Sequence, residues 1–169
     1  MNDHDRQHQL TAVAEKVSAG LIVLLKDVSR LRALVYSKNA EGGLDCLSYN
    51  GRADEPTPFV RGTERGDAAL RLVARGGLPK LVQDISNKND PEMADFHGTG
   101  EGYRTFVTGG IGTKSQQYGM VSIDAPEARV LVDTDRHVVG MLADLMAVAF
   151  AIASASAGGE GSTSRTTRA

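Results

Sequence analysis

One cysteine, no tryptophan and 5% aromatic residues leave this sequence poor in the side chains that most often mark a site. The lone Cys46 excludes an internal disulfide and any zinc site built from several cysteines. Charge of one sign is also lacking. Against 21 Asp and Glu stand 19 Lys and Arg, a formal net charge of −2, without the basic excess of a nucleic-acid-binding domain. The four histidines, His4, His8, His97 and His137, are scattered and offer no full metal ligand set. The N-terminal "MNDHDRQHQ" is polar and mixed in charge, unlike a secretory signal. The longest unbroken apolar run near it, Leu21 to Leu25, is far too short to span a bilayer. The expectation is a cytoplasmic protein whose partners include neither nucleic acid nor membrane. What is present is apolar material, 41% of 169 residues, enough to bury the core of one domain.

That material is patterned. Residues 1–8 read as a disordered N-terminus. From Leu10, the series Leu10, Ala14, Val17, Leu21, Leu24 and Val28 keeps helical spacing on one face. "RLRALVYS" sets Leu31, Ala33 and Val35 against Arg30, Arg32, Leu34 and Tyr36, the alternation of a strand, and turn residues separate it from "LDCLSYNG", a second strand. A loop with Pro56 and Pro58 follows, then a short helix over "RGDAALRLVARGG" that the two glycines stop. Lys80 to Ile85 reads as a third strand. Residues 87–103 form a long, polar, glycine-containing loop, a type often tied to function. "RTFVTGGI" and "YGMVSID" make a second hairpin. Asp133 or Asp135 can cap a final helix whose Val138, Met141, Leu145, Val148 and Ile152 form one stripe beside another at Leu142, Leu145 and Ala149. Two stripes on one helix call for two partners, the sheet and a second helix or subunit. The glycine-rich end, 156–169, reads as a disordered tail. Two hairpins bracketed by helices predict an α+β domain over 9–155, with an antiparallel sheet of about five or six strands.

Three pieces in this order resemble the GAF domain family of small-molecule sensor modules: "LPKLVQDIS", "YRTFVTGGIGTKSQQYGMVSID" and "DTDRHVVGMLADLMAVAFAIA". The resemblance runs from about Leu10 to Ala155. It implies terminal helices on one face of the sheet, and a ligand pocket on the other beneath a lid at 86–103. It also implies a homodimer through those helices, with Val13, Val17, Val138, Met141, Leu145, Val148 and Ile152 at the interface.

The family's special chemistries find few of their residues here. Cyclic-nucleotide-binding members resemble one another in an Asn–Lys pair at the end of the strand equivalent to "MVSID". Ile123 and Asp124 stand there instead, and the pair Asn87–Lys88 lies in the wrong element. Bilin-binding members use a cysteine beside a histidine in the lid, where His97 is followed by Gly98. Sulfoxide-reducing members need a resolving cysteine, which a single Cys46 does not provide. Haem needs an imidazole on iron, and His97 is the histidine that falls in the lid, although a lid histidine is more often solvated. The cofactor therefore stays unknown. "GTGEG", Gly98 to Gly102, lacks the Lys-Ser/Thr and preceding buried strand of a phosphate loop and reads as lid.

From the predicted faces, the pocket residues are Tyr49, Phe59, Asp84, Met93, Phe96, His97, Tyr103, Arg104 and Met120, with Arg104 able to take a carboxylate or phosphate. No nucleophile–base pair is visible, so the expectation is not an enzyme. The leading expectation is a bacterial-type, stand-alone sensory domain. It binds a small molecule under the lid and signals to a separate output protein through its dimerised helices. The alternative is an interaction module with a degenerate pocket.

Overall fold

The computed structural model describes residues 2–158. Along the chain run α1 (Asp3–Leu24), β1 (Arg32–Lys38), β2 (Leu44–Gly51), α2 (Glu64–Arg75), β3 (Lys80–Val82), a single tight turn of helix at Pro91–Met93, β4 (Thr105–Gly112), β5 (Gln117–Ala125) and α3 (Asp133–Gly158). Five strands form one sheet in the order β2-β1-β5-β4-β3, every neighbouring pair antiparallel. The fold is α+β, with both hairpins in place.

Because side chains alternate along a strand, the sheet has two different faces. One carries Ala33, Val35, Val107, Ile111, Val121 and Ile123, all fully buried. The terminal helices cover it. From α1 come Ala14, Val17 and Leu21, with Leu25 just beyond its end, and from α3 come Val139, Ala143, Met146, Ala147 and Phe150. Phe150 stacks on Tyr118 of β5 at 5.2 Å. The other face carries Arg32, Leu34, Tyr36, Phe106, Thr108, Met120, Ser122 and Asp124.

Local chemistry sets the element ends. Asn2 caps α1 by accepting the Asp5 N–H at 2.8 Å, so the helix starts at Asp3 and residues predicted as disordered are helical. The buried stripe of α1 runs to Leu25, whereas Leu24 is exposed. Thr63 caps α2, and Gly76 and Gly77, both at positive φ, end it. β3 stops at Val82 rather than Ile85, because Asp84 and Ser86 form a turn through the Ser86 N–H and hydroxyl. Asp135 reaches back to the Val132 N–H at 2.8 Å to start α3. That helix continues past 155 into the predicted tail, and 159–169 lie outside the described residues.

The nominated interface residues divide. Val17 lies in the core, and Val13 and Val138 pack against it, because the close approach of α1 and α3 turns them inward. Met141, Leu145, Val148 and Ile152 form a stripe on α3 in which each residue is more than half exposed. By length and hydropathy alone, Asp133–Ala155 would also be apolar enough to cross a membrane, and 28% of that stretch is buried in the fold.

Candidate functional site

The second face of the sheet is only partly roofed. At one side α2 packs Ala69 and Val73 on Leu34, Tyr36, Leu44 and Met120. Gly110 permits this approach, since a Cβ there would sit 3.0 Å from the Val73 carbonyl oxygen. At the other side the segment after β3 folds over the sheet. Phe96 stacks on Phe106 at 5.5 Å, Tyr103 meets Phe106 edge-on, and Met93 and Val82 fill the space beneath. Gly98 passes so close that a Cβ would fall 2.4 Å from the Tyr103 hydroxyl. Arg71 of α2 binds Asp95 with two N–H···O bonds, and Lys80 donates to the Ala94 carbonyl, tying this covering segment to both of its neighbours. Between the two roofs is a cavity of about 470 Å³, within the range of small-molecule sites.

One end of the cavity is a network of four charges. Arg32 and Asp124 face each other across β1 and β5, and the Arg32 Nε and Nη2 both donate to Asp124 Oδ2 at 3.1 and 2.8 Å. Arg52 donates to Asp124 Oδ1 at 2.8 Å, and both guanidiniums also reach Asp54. The carboxyls respond differently. Burial pushes Asp124 up, opposed by the Arg32 and Arg52 charges. The half-exposed Asp54 is held down at about 2, chiefly by the hydrogen bond from Arg52. Burial alone would lower the Arg52 guanidinium, yet Asp54 and Asp124 hold it above its ordinary value. The network therefore neutralises itself.

Arg65 does not share in it. Its guanidinium lies over the Phe59 ring at 3.8 Å and donates to the carbonyls of Pro58 at 2.8 Å and Thr57 at 3.2 Å. Its Nε–H is sealed from solvent without an acceptor, and burial lowers its pKa. Tyr36 meets the same Phe59 ring edge-on at 5.0 Å. Tyr36 is 4% exposed and lines the cavity, and no described residue hydrogen-bonds its hydroxyl. Burial raises the phenol pKa, so the group stays a donor. Thr108 and Ser122, bonded to each other at 2.7 Å, complete the polar floor.

Of the expected pocket residues, Phe59, Phe96, His97, Tyr103 and Met120 line the cavity, and four do not. Tyr49, on edge strand β2, sits in a shallow groove with Glu15, Lys16 and Pro56. Met93 is buried against Val82 and Phe106 and anchors the lid from below. Asp84 and Arg104 pair with each other at 2.8 Å outside the cavity, with Ser86 also accepting from Arg104. Arg104 shares the parity of Phe106, but it lies beyond the strand end, where the Asp84 turn meets it. The two ring nitrogens of His97 lie 3.6 Å from Glu64 and 3.5 Å from Asp95. None of the described lining residues is a cysteine. Cys46 packs beside the Tyr36 cluster, its thiol pushed by burial up to about 11. A thioether to a bilin therefore has no nucleophile in the cavity wall. Sequence reasoning missed Arg32, Arg52, Asp54, Arg65 and Tyr36 as site residues. The available signal was a strand whose outward face reads Arg32, Leu34, Tyr36, and an acid closing an otherwise apolar β5.

A sheet clad by terminal helices on one face and hollow on the other defines the class, and the chain has a GAF-like fold. No protein-family model and no curated protein matches the sequence. Among solved structures, it is similar to GAF3 of Slr1393 from Synechocystis sp. PCC6803 in its photoproduct state, at 18% identity and a TM-score of 0.67, covering 88% of this chain and 98% of that one. It is similar to the blue-light absorbing PixJ GAF domain of Thermosynechococcus elongatus at 12% identity and a TM-score of 0.62, covering 90% and 94%. A far-red absorbing dark-state structure with bound biliverdin matches at 13% identity and a TM-score of 0.63, covering 89% and 96%.

Proposed function

We propose that this chain is a cytoplasmic, non-enzymatic sensory domain that binds a small molecule in the cavity beneath 94–103 and signals to a separate partner through its terminal helices. The cavity carries the reading. It is large enough for a ligand, mixes charged and polar groups with aromatic and aliphatic ones, and opens on the face away from α1 and α3. Solved neighbours with this fold include one holding biliverdin, which supports a small-molecule ligand, although a different one given the missing cysteine. Ligand binding would act by favouring one of two arrangements of α1, α3 and the lid. The exposed stripe on α3 is the surface through which two copies would associate.

Thermal melting against nucleotides, amino acids and haem tests this. A ligand bound only by the folded state stabilises it by about 2.7 kcal/mol at a hundredfold excess over its Kd. The Met141–Leu145–Val148–Ile152 stripe also favours a second reading, a dimerisation or docking module whose cavity is degenerate. That reading gains if no small molecule moves the midpoint while changes on the stripe alter assembly.

A further inference from the structure

The cavity wall is more basic than the protein that carries it. Seven Arg and Lys side chains line it against five Asp and Glu, in a chain whose formal charge is −2. Three of those cations have carboxylate partners. Arg32 and Arg52 share Asp54 and Asp124, and Arg71 is taken by Asp95. Arg65 has two neutral carbonyls and an aromatic ring for company, and no carboxylate within ion-pair distance among the described residues. Tyr36, packed on the same ring, presents a hydroxyl with no partner among the described residues from a side chain that is 4% exposed. A buried donor left without an acceptor is costly, as the Arg65 Nε–H is, and the Arg65 guanidinium and the Tyr36 side chain meet the same ring at the cavity edge. Across the cavity, Phe96 and Phe106 lie nearly parallel, 23° apart, offering flat surface. Asp54 and Asp124 on the remaining wall oppose a doubly charged guest.

Resting on the ligand-cavity reading above, we propose that the site is specific for a small planar carboxylic acid. Its carboxylate is received by the Arg65 guanidinium and the Tyr36 hydroxyl, and its flat body lies toward Phe96 and Phe106. Arg65, without a carboxylate partner among the described residues, is the cation that shares the Phe59 ring with Tyr36, and Asp54 and Asp124 disfavour a second negative charge. A charge-assisted hydrogen bond and a neutral one converging on the same oxygens are the recognition expected for a carboxylate.

Naphthoate and its uncharged amide, naphthamide, are the probes. The chain has no tryptophan, so the emission of the naphthyl group is read without interference. The wild type is expected to bind naphthoate at least about tenfold tighter than naphthamide. Tyr36→Phe should weaken naphthoate about tenfold, and Arg65→Gln about a hundredfold, from the usual worth of neutral and charged hydrogen bonds, with naphthamide unchanged in both. Arg65→Lys should retain part of the preference. Because the Tyr36 hydroxyl has no partner among the described residues, Tyr36→Phe should melt no lower than the wild type. Equal affinity for the two probes would overturn the carboxylate site and leave the cavity standing as a ligand site. Displacement of naphthoate by inorganic phosphate as effective as by benzoate would overturn the preference for a planar monoanion. Failure of both probes to bind would overturn this inference alone, and the sensing reading would then stand or fall on the melting test with nucleotides, amino acids and haem.

Discussion

The two faces of the sheet are built on opposite physical terms, and adjacent residues of β5 show it. Ile123 is fully buried among α1, α3 and their neighbours, in a mostly apolar surface whose buried hydroxyls, Ser18, Ser48 and Thr105, are hydrogen-bonded within the protein. Asp124, one residue on and turned the other way, is buried almost as deeply and accepts hydrogen bonds from two guanidiniums. The first face holds the fold together by excluding water, at about 25 cal/mol per Å² of apolar surface buried. The second keeps charge in a partly closed space, which costs stability unless every partner is present. A domain with no need of the second face would fill it with valine and leucine, as it does the first. The burial of Arg32, Arg52 and Asp124 and of the Arg65 Nε–H beside an open cavity is the cost on which the sensing proposal rests.

Breaking each face separately should give effects of similar size but different character. Asp124→Ala leaves Arg32 and Arg52, whose side chains are 11% and 7% exposed, without their shared acceptor. Removal of one partner from a buried ion pair is expected to cost about 3–5 kcal/mol. Ile123→Ala is expected to cost about 2–5 kcal/mol, the usual range for a large-to-small change in a packed core. Urea unfolding of both variants measures this. High salt should leave the Ile123→Ala loss unchanged. If Asp124→Ala unfolds no more easily than the wild type, the network does not contribute as the geometry requires.

The pH dependence sharpens the contrast. The Asp54 carboxyl is depressed to about 2, mainly by Arg52, from an ordinary value of 3.8. Its stabilising contribution is therefore complete above the unfolded value and is lost as pH falls from there through about 2. With its side chain 47% exposed, solvent screening limits that contribution to about 1 kcal/mol at neutral pH. Asp54→Asn should lose that amount at neutral pH, and the gap between variant and wild type should close as the solution is acidified through the same window. Ile123→Ala should show no such closing. A constant gap for Asp54→Asn would mean that the aspartate is not ionically coupled to Arg52.

The architecture was legible because it rests on periodicity. The alternation of β1 assigned Arg32, Leu34 and Tyr36 to one face before any partner was known, and the two successive strand-like runs "RTFVTGGI" and "YGMVSID" placed the second hairpin. The site was only half legible, because cavities are made by pairs distant in sequence. Arg32 and Asp124 are cross-strand neighbours separated by 92 positions, so the network depends on a strand order that periodicity does not give. Arg65 is drawn in by the carbonyls of its own preceding loop, Thr57 and Pro58, not by any pattern. Arg104 looked the better anion ligand because it opens a strand, but a turn two elements away supplied Asp84 first. A smaller effect tests the lid that these contacts shape. Gly98→Val would drive a branched side chain into Phe96 and Tyr103. That cluster is small and at the surface, so the expected loss is about 1 kcal/mol in melting stability. Naphthoate affinity should fall by more than that loss implies, because the displaced rings line the cavity.

The smallest change in fold stability is expected on the helix that carries both an inside and an outside. Met146 is fully buried, while Leu145 beside it is 54% exposed on the stripe with Met141, Val148 and Ile152. In a monomer, Leu145→Asp removes little apolar contact and should shift stability by no more than about 0.5 kcal/mol, as for other exposed sites. In a dimer joined along that stripe, the same carboxylate would enter an apolar seam at a cost of several kcal/mol, enough to dissociate it. Sedimentation equilibrium on the wild type and the variant separates the cases. A dimer that becomes a folded monomer identifies the stripe as the self-interface and gives the cavity a route to a second copy. A dimer that persists would assign association to another surface, and a monomeric wild type would remove self-association as the output of ligand binding. Met146→Ala should do the reverse of Leu145→Asp, lowering the melting point of each subunit without selecting for or against assembly.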